Sequence, residues 1–473
     1  MSQDIASDSD SLSAGLIALD LGRNSTPVHD LPPEIISDIF ILCLPAHGRV
    51  KPSPETAPLL LAQICRRWRE IALETCQLWC SIYLEFPWES DRWDTYSQTA
   101  LCLLQTCIQR AKGYPLSLGL DRDRLFPRLG QLADSQQSLL KEISTEFLHF
   151  LSTYAAQIYR LEARVFGVQF DQIIPPNTSL PLLQTIHVPS FEEARLSDIL
   201  DSAPLLCDLR FCRNMPEYSL SFNNITTLDA DEISAGFFFC ILDQFPALQR
   251  LKCFISEYKT DTLPIKVTTH QNLAVLKLSR SYILGKAVLP NLRDLQITRD
   301  DSLSVHDTAD ILSLVTRSSC ALRSLGMSVG DARITEFYDF LAAFPVLETL
   351  DIHDCDNLDD TLEAILRRVS HLSRLGSLSV RAGSLAASSI DFEQLSVMLR
   401  RRDEATKAAF PIAKLKRLYI TMVIPRPSPR PWSGEEEWSL DQYRDLITPG
   451  ESASAVFRTL IEDGLASICQ NML

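Results

Sequence analysis

The stretch PVLETLDIHDC, Pro345–Cys355, holds the pattern that decides most of this fold. Leu347, Leu350 and Ile352 follow an order of apolar residue, two residues, apolar residue, one residue, apolar residue. Polar Asp351 stands between the last two, and alternation with a period of two is typical of a strand with one buried face. The stretch therefore predicts a short strand that follows a turn at the proline.

The same spacing returns along the chain at a mean step of about 26 residues. Leucine is common, so one or two copies would arise by chance, but eight clear copies at similar steps would not. The clear copies are Leu206/Leu209/Phe211, Leu248/Leu251/Cys253, Leu273/Leu276/Leu278, Leu292/Leu295/Ile297, Leu322/Leu325/Met327, Leu347/Leu350/Ile352, Leu375/Leu378/Val380 and Leu415/Leu418/Ile420. Weaker copies begin at Ile158, Leu183 and Ile225. The series resembles leucine-rich repeats.

One repeat cannot bury its apolar side alone, so neighbouring repeats must stack. Helical segments between the motifs, such as 197–202 and 361–369, complete the units. The predicted fold class is therefore α/β, with a small helical N-terminal module followed by a leucine-rich-repeat-like solenoid of parallel strands and helices. We expect it to be irregular, because only Asn214 and Cys355 fill the turn position eight residues after the first leucine.

Two apolar helical segments precede the repeats. In LPPEIISDIFILCLP, Leu31–Pro45, a stripe recurs at helical spacing: Ile35, Ile36, Ile39, Phe40 and Cys43. In LLLAQICRRWREIALETCQLW, Leu59–Trp79, the sequence predicts one helix with a single apolar stripe: Leu61, Ile64, Cys65, Trp68, Ile71 and Ala72. Neither segment is long enough to be stable alone, so both stripes need a cover from this chain, from a partner, or from both.

Together these pieces resemble an F-box over roughly residues 28–86, and their wording is similar to F-box-like proteins abundant in fungi. The resemblance implies a docking module for a Skp-type linker protein, which joins it to a cullin and so to ubiquitin conjugation. The positions that match the docking motif are Leu31, Pro32, Ile35, Ile39, Phe40, Ile64, Cys65 and Trp68. The loop Pro45–Pro58 is longer than in a compact F-box, and is either a harmless insertion or a disturbance to the approach of the two helices.

The function implied is a substrate-recognition adaptor of an SCF-type ubiquitin ligase, acting in ubiquitin-dependent protein degradation. The alternative is a non-ligase interaction scaffold with a degenerate F-box. Taken singly, each tryptophan or isoleucine is more often a core residue than an interface anchor. The ordered combination of the motif pieces favours the docking module.

The polar residues between the repeat leucines are expected to face outward and to bind the substrate. A small basic spot is predicted where Arg250, Lys252 and Lys277 lie beside Phe254, suited to an acidic or phosphorylated peptide. Arg210 and Tyr419 complete the candidate set. The neighbouring strand with Thr227, Asp229 and Asp231 would weaken the spot, and a solvated face of mixed charge remains the alternative.

The composition of the chain limits the classes of partner that it is expected to bind. The 473 residues carry a net charge of −15, which disfavours nucleic acid and anionic lipid and favours a protein partner. No secretory signal and no membrane-length apolar run is apparent, so we expect a cytoplasmic and/or nuclear protein whose thirteen cysteines are reduced thiols. The sequence contains no Gly-rich phosphate loop, no Gly-x-Ser-x-Gly elbow and no paired Cys-x-x-Cys zinc motif, and therefore predicts no catalytic residue, no metal and no cofactor.

The predicted organisation has five segments. They are a disordered acidic and Ser-rich tail (1–27), the F-box-like domain (28–86), a helical connector with the first solenoid strand (87–157), the solenoid (158–424), and a Pro-rich linker with a C-terminal capping helix (425–473).

Overall fold

The structure is a computed structural model that divides into two compact units, Met1–Phe126 and Pro127–Leu473. The boundary between them lies inside the segment 87–157 that was predicted as a connector. The predicted tail 1–27 lies outside the described residues. The residues described are 31–45, 48–86, 93–122, 151–163, 178–188, 199, 201–211, 222–256, 266–298, 305–330, 334–355, 365, 372–382, 417–424 and 467–472.

The first unit combines helices with two parallel strands. Its elements are α1 (Pro33–Leu42), α2 (Leu61–Ile64), α3 (Arg66–Glu74), a 3-10 turn (Cys76–Trp79), β1 (Ser81–Phe86), α4 (Trp93–Ala111) and β2 (Leu116–Arg122). Ser81 of β1 pairs with Ser117 of β2. The prediction of a helix after Leu31 is confirmed, and short strands follow Trp79 and Pro115.

The prediction of one continuous helix through Cys65 is wrong. Cys65 is extended, with φ −155° and ψ 170°, and separates α2 from α3. Its Sγ accepts a hydrogen bond from the backbone N–H of Trp68 at 3.4 Å. A side-chain acceptor at this position satisfies one of the N–H groups that a helix start leaves unpaired, so Cys65 caps α3.

The interior of the first unit is built around Trp79, which is buried. The indole Nε1 donates a hydrogen bond to Ala72 O at 2.8 Å. The guanidinium of Arg110, at the end of α4, lies 4.3 Å from the centre of the Trp79 ring. These contacts, with the pairing of β1 and β2, explain why α4 and β2 belong to the first unit rather than to a connector.

The long loop Pro45–Pro58 runs along β1. Tyr83 donates its backbone N–H to Val50 O at 2.8 Å, and Lys51 forms an ion pair with Glu85. The helices still meet, since Arg67 Nη2 donates to Leu31 O at 2.8 Å. Of the two alternatives for this loop, the harmless insertion fits the observed contacts, because the loop covers a strand edge and leaves the helix approach intact.

The second unit contains one large parallel sheet. Its strands are β3 (Ile158–Ala163), β4 (Thr185–Val188), β5 (Asp208–Phe211), β6 (Thr227–Ile233), β7 (Arg250–Ile255), β9 (Val275–Leu278), β11 (Asp294–Ile297), β12 (Ser324–Gly330), β13 (Thr349–Cys355), β14 (Ser377–Ala382), β15 (Arg417–Ile424) and β16 (Ser467–Met472). They pair in chain order. The two-residue strands β8 (Thr268–Thr269) and β10 (Ala287–Val288) pair with each other. The described helices of this unit include α5 (Ala235–Gln244), α6 (Val305–Ser318) and α7 (Ile334–Leu341).

The strand register aligns the repeated motif across the sheet. The second apolar position of each copy faces the same position of the next, from Leu161 of β3 through Leu276 of β9 to Leu418 of β15. The motif side chains between Ile158 and Val380 are buried. The predicted α/β class with stacked parallel strands is therefore confirmed.

The turns are held by a device that the sequence reasoning missed. Asn224, Asn272 and Asn291 each stand directly before the first apolar residue of a copy and donate to a backbone carbonyl of the preceding copy at 3.2, 2.8 and 2.7 Å. Asparagine was expected eight residues after the first leucine instead. Of the two residues predicted there, Asn214 lies outside the described residues and Cys355 ends β13 opposite Ala382.

The C-terminal segment differs from the prediction in part. The Pro-rich linker and the capping helix fall outside the described residues, but Ser467–Met472 forms β16 and pairs with β15. The end of the chain thus adds a strand to the sheet where only a linker and a helix were predicted.

The ten cysteines whose side chains the structure describes are free thiols. None of the described helices is both long and apolar enough to cross a membrane.

Cys107 gives the first unit a predicted pH dependence. Burial raises the pKa of its thiol to about 11, from an ordinary value of 9.0. Between these values the unfolded chain releases the proton and the folded unit keeps it, so the free energy of unfolding falls as the pH rises. In urea unfolding at about pH 8 and about pH 10.5, we expect Cys107→Ala to lose less stability than the unchanged protein. Equal losses in the two proteins would contradict this.

Candidate functional site

Helix α1 is apolar on two sides. Ile36 and Phe40 point into the first unit, whereas Ile35, Ile39 and Leu42 are 46%, 41% and 83% exposed. The exposed three stand at spacings of four and three residues, which places them on one side of the helix. A surface helix normally turns its polar side to solvent, so a second apolar stripe indicates a surface for a partner.

A second exposed apolar pair lies just before α3. Leu60 and Ile64 are four residues apart and both exposed, Ile64 by 54%. Trp68, at the start of α3, contacts α1, since its ring centre lies 4.9 Å from that of Phe40. We call Ile35, Ile39, Leu42, Leu60 and Ile64 the apolar face.

The eight predicted linker-binding residues divide by burial. Pro32, Ile35, Ile39 and Ile64 are exposed, and Leu31, Cys65 and Trp68 are half-buried. Phe40 is 0% exposed, so its assignment to a docking surface is wrong and it belongs to the interior of the unit. Sequence reasoning missed Leu42 and Leu60, although helical spacing from Ile35 and from Ile64 could have found them.

The arginines of α3 are engaged within the unit. Arg66 forms an ion pair with Glu70 at 2.9 Å, and Arg69 Nε donates to Ala62 O at 2.8 Å. The latter bond holds α2 against α3 across the break at Cys65. Their role in the described structure is to fix the helices that carry the apolar face.

The strand face of the second unit brings together only part of the predicted basic spot. Lys252 lies opposite Lys277 on β9 and opposite Asp229 on β6. Its Nζ lies 3.1 Å from both carboxylate oxygens of Asp229. The expected weakening of the spot by the acidic strand is confirmed for Lys252, whose charge is balanced.

Two predicted members do not join the spot. Arg210 on β5 is bound to Asp208 at 3.1 Å, and this hydrogen bond raises the pKa of the guanidinium. Tyr419 lies on β15, and five strands separate it from β7 in the sheet. Both are therefore removed from the candidate set around Lys252.

A polar group on β11 to β13 was not predicted. Gln296 Nε2 lies 3.4 Å from His353 Nε2, which in turn lies 3.3 Å from Asp351 Oδ2. Gly326 lies on β12, the strand between β11 and β13. A Cβ at this position would lie 3.0 Å from Gln296 Cγ, so the glycine leaves room for the Gln296 side chain to cross β12. The sequence signal for this polar group was the glycine that directly follows Leu325 in its motif copy.

Among the described residues, no three His, Cys, Asp or Glu side chains are grouped so that they could hold a metal ion. No protein-family model matches this chain, and no curated protein matches it.

Proposed function

We propose that the chain is the substrate-recognition adaptor of an SCF-type ubiquitin ligase. Its first unit would act as an F-box that docks a Skp-type linker, and through it a cullin. The second unit would be a leucine-rich-repeat solenoid that binds a protein substrate, in the cytoplasm or the nucleus. The observation that supports this proposal is the apolar face, which coincides with the F-box-like motif order between Leu31 and Trp79.

The energetics of the apolar face favour a partner. Burying one large aliphatic side chain contributes about 1.5–3 kcal/mol, so leaving several exposed forgoes a large stabilisation. A helix pair with exposed isoleucine and leucine beside a half-buried tryptophan suits docking against the helices of another protein. Isoleucine rather than a polar residue stands at positions 35 and 39, so exposure of this side of α1 to water is unfavourable.

The adaptor would act without chemistry of its own. Acceleration would come from holding a substrate near a ubiquitin-charged enzyme, which turns a bimolecular encounter into an effectively intramolecular one. The repeat spacing and the cross-repeat asparagine bonds support the finer assignment of the sheet to leucine-rich repeats.

Co-purification with a Skp-type linker tests the proposal. We expect the unchanged chain to form a complex that weakens in Leu31→Ala, Pro32→Ala and Trp68→Ala, because an anchor such as Trp68 contributes about 2 kcal/mol or more. Glu74→Ala, at an exposed position of α3, serves as the control and should bind normally. Failure of the unchanged chain to bind would instead favour a scaffold with a degenerate F-box.

A further inference from the structure

Two neighbouring strands of the second unit carry cations that no residue described by the structure pairs with. Arg250 on β7 and Lys277 on β9 are exposed, and among the described residues neither side chain forms a hydrogen bond or an ion pair. Lys252 between them is held by Asp229. The charges of Arg250 and Lys277 are therefore open to a ligand, while that of Lys252 is already balanced.

The register fixes the spacing of the two cations. Arg250 lies opposite Val275, and Lys277 follows Val275 by two residues on the same face of β9. Diagonal neighbours of this kind in a sheet are about 7–8 Å apart. Alternate side chains of an extended peptide project on one side at about 6.6 Å, so two carboxylates separated by one residue match this spacing.

An exposed aromatic ring lies beside the cations. Phe254 is 45% exposed and shares the outward face of β7 with Arg250 and Lys252, since the buried and exposed residues of this strand alternate. A large apolar side chain left in water on a strand face gains free energy when a partner covers it. The ring thus offers an apolar contact next to the two charges.

Acidic residues limit the size of this surface. Asp229 and Asp231 stand on β6, and Asp294 on β11 lies opposite Val275. The positive charges that no described residue balances on this part of the sheet, those of Arg250 and Lys277, are therefore confined to β7 and β9. A nucleic acid gains affinity by neutralising many phosphates, which two cations in a chain of net charge −15 do not provide.

We infer that Arg250, Lys277 and Phe254, the Phe254 patch, bind an extended acidic segment of a protein partner. The segment carries two acidic residues separated by one residue, with a large apolar residue nearby. The identity of this partner as the substrate rests on the proposed function, whereas the binding itself does not.

A peptide array probed with the full chain tests the inference. The probes are short peptides with the order Glu-Ser-Glu-Ser-Phe, in which alternate residues share one side, together with versions in which both Glu are Gln, both are Lys, one is phosphoserine, or Phe is Ala. We expect the Gln and Lys versions to bind at least about tenfold more weakly than the parent, and the Ala version to be weaker too. The phosphoserine version should bind at least as well as the parent, since it keeps the negative charge.

Variants of the chain locate the binding. Arg250→Glu combined with Lys277→Glu should weaken parent-peptide binding at least about tenfold, and Phe254→Ala should weaken it independently. Arg293→Glu is the control, because Arg293 is exposed in the turn before β11 and its substitution makes the same charge change as each single substitution of the pair. The inference is overturned if no probe binds the unchanged chain, if the double variant binds normally, or if Arg293→Glu weakens binding equally.

Binding of the Skp-type linker is measured on the same proteins. The double variant should bind the linker normally, because its substitutions lie in the second unit. Peptide binding without linker binding would reject the adaptor function and keep the Phe254 patch, and the reverse result would reject the patch and keep the adaptor function.

Discussion

Ile35→Asp combined with Ile39→Asp is expected to reduce linker binding by at least about a hundredfold, the largest effect on binding in this account. Both side chains stand on the exposed side of α1. At an interface the two carboxylates would lose their hydration without gaining a partner, and the apolar contact would be lost as well. Isothermal titration of a Skp-type linker into the full chain measures the effect.

The interior residue next to them provides the control. Ile36→Ala should lower the free energy of unfolding by about 2 kcal/mol or more, because Ile36 is buried among the residues of the first unit. The double aspartate variant should leave that free energy nearly unchanged. A double variant that unfolds, or that still binds the linker normally, contradicts the assignment of this side of α1 to a partner.

Leu276→Ala is expected to have the largest effect on stability, a loss of about 2–5 kcal/mol for the second unit. Leu276 is fully buried on β9, with Leu251 and Leu295 opposite it on the two neighbouring strands. Its removal leaves a cavity that these neighbours cannot fill without moving the strands. Urea unfolding followed by circular dichroism gives the loss.

Arg293→Ala is the matched control, since an exposed turn residue usually changes stability by less than about 0.5 kcal/mol. A loss below about 1 kcal/mol for Leu276→Ala would show that the aligned column of motif residues contributes little to the stability of this unit.

The parallel sheet could be predicted because burial of one face of each strand leaves a recognisable pattern of apolar residues in the sequence. Each copy needs apolar residues at fixed spacing, and the column that includes Leu251, Leu276 and Leu295 follows directly from that requirement. The strands that were missed lack the motif. β8 and β10 are two residues long. In β16, which reads SICQNM, Leu465 and Ile468 have the motif spacing but polar Gln470 takes the third apolar position.

The front unit was harder to predict in detail because α1 is apolar on two sides. Spacing alone gives one broad stripe and does not say which of its two edges faces inward. The contact of Phe40 with Trp68 decides this only in three dimensions. Similarly, the apolar stripe continues through Cys65 without interruption. Cysteine is not among the usual N-cap residues, so the break between α2 and α3 carried no recognised signal.

The basic spot shows that strand register carries information about charge pairing that the sequence alone does not. The sequence placed Lys252 beside an acidic strand, and the structure shows that Asp229 binds Lys252 while Arg250 and Lys277 stay open. Tyr419 was included because its motif copy has the right spacing. Tyr419 is excluded from the basic spot because its strand lies far from β7 in the sheet, although it belongs to a motif copy.

Hydroxyl-radical footprinting of the full chain, with and without a Skp-type linker, tests the central claim most directly. The method reads the exposure of individual side chains in the unchanged protein. We expect the linker to protect Ile35, Leu42, Ile64 and Trp68 from oxidation and to leave Phe254 as reactive as before. Unchanged oxidation at Ile35, Leu42 and Ile64 in the presence of a saturating linker would contradict the central claim.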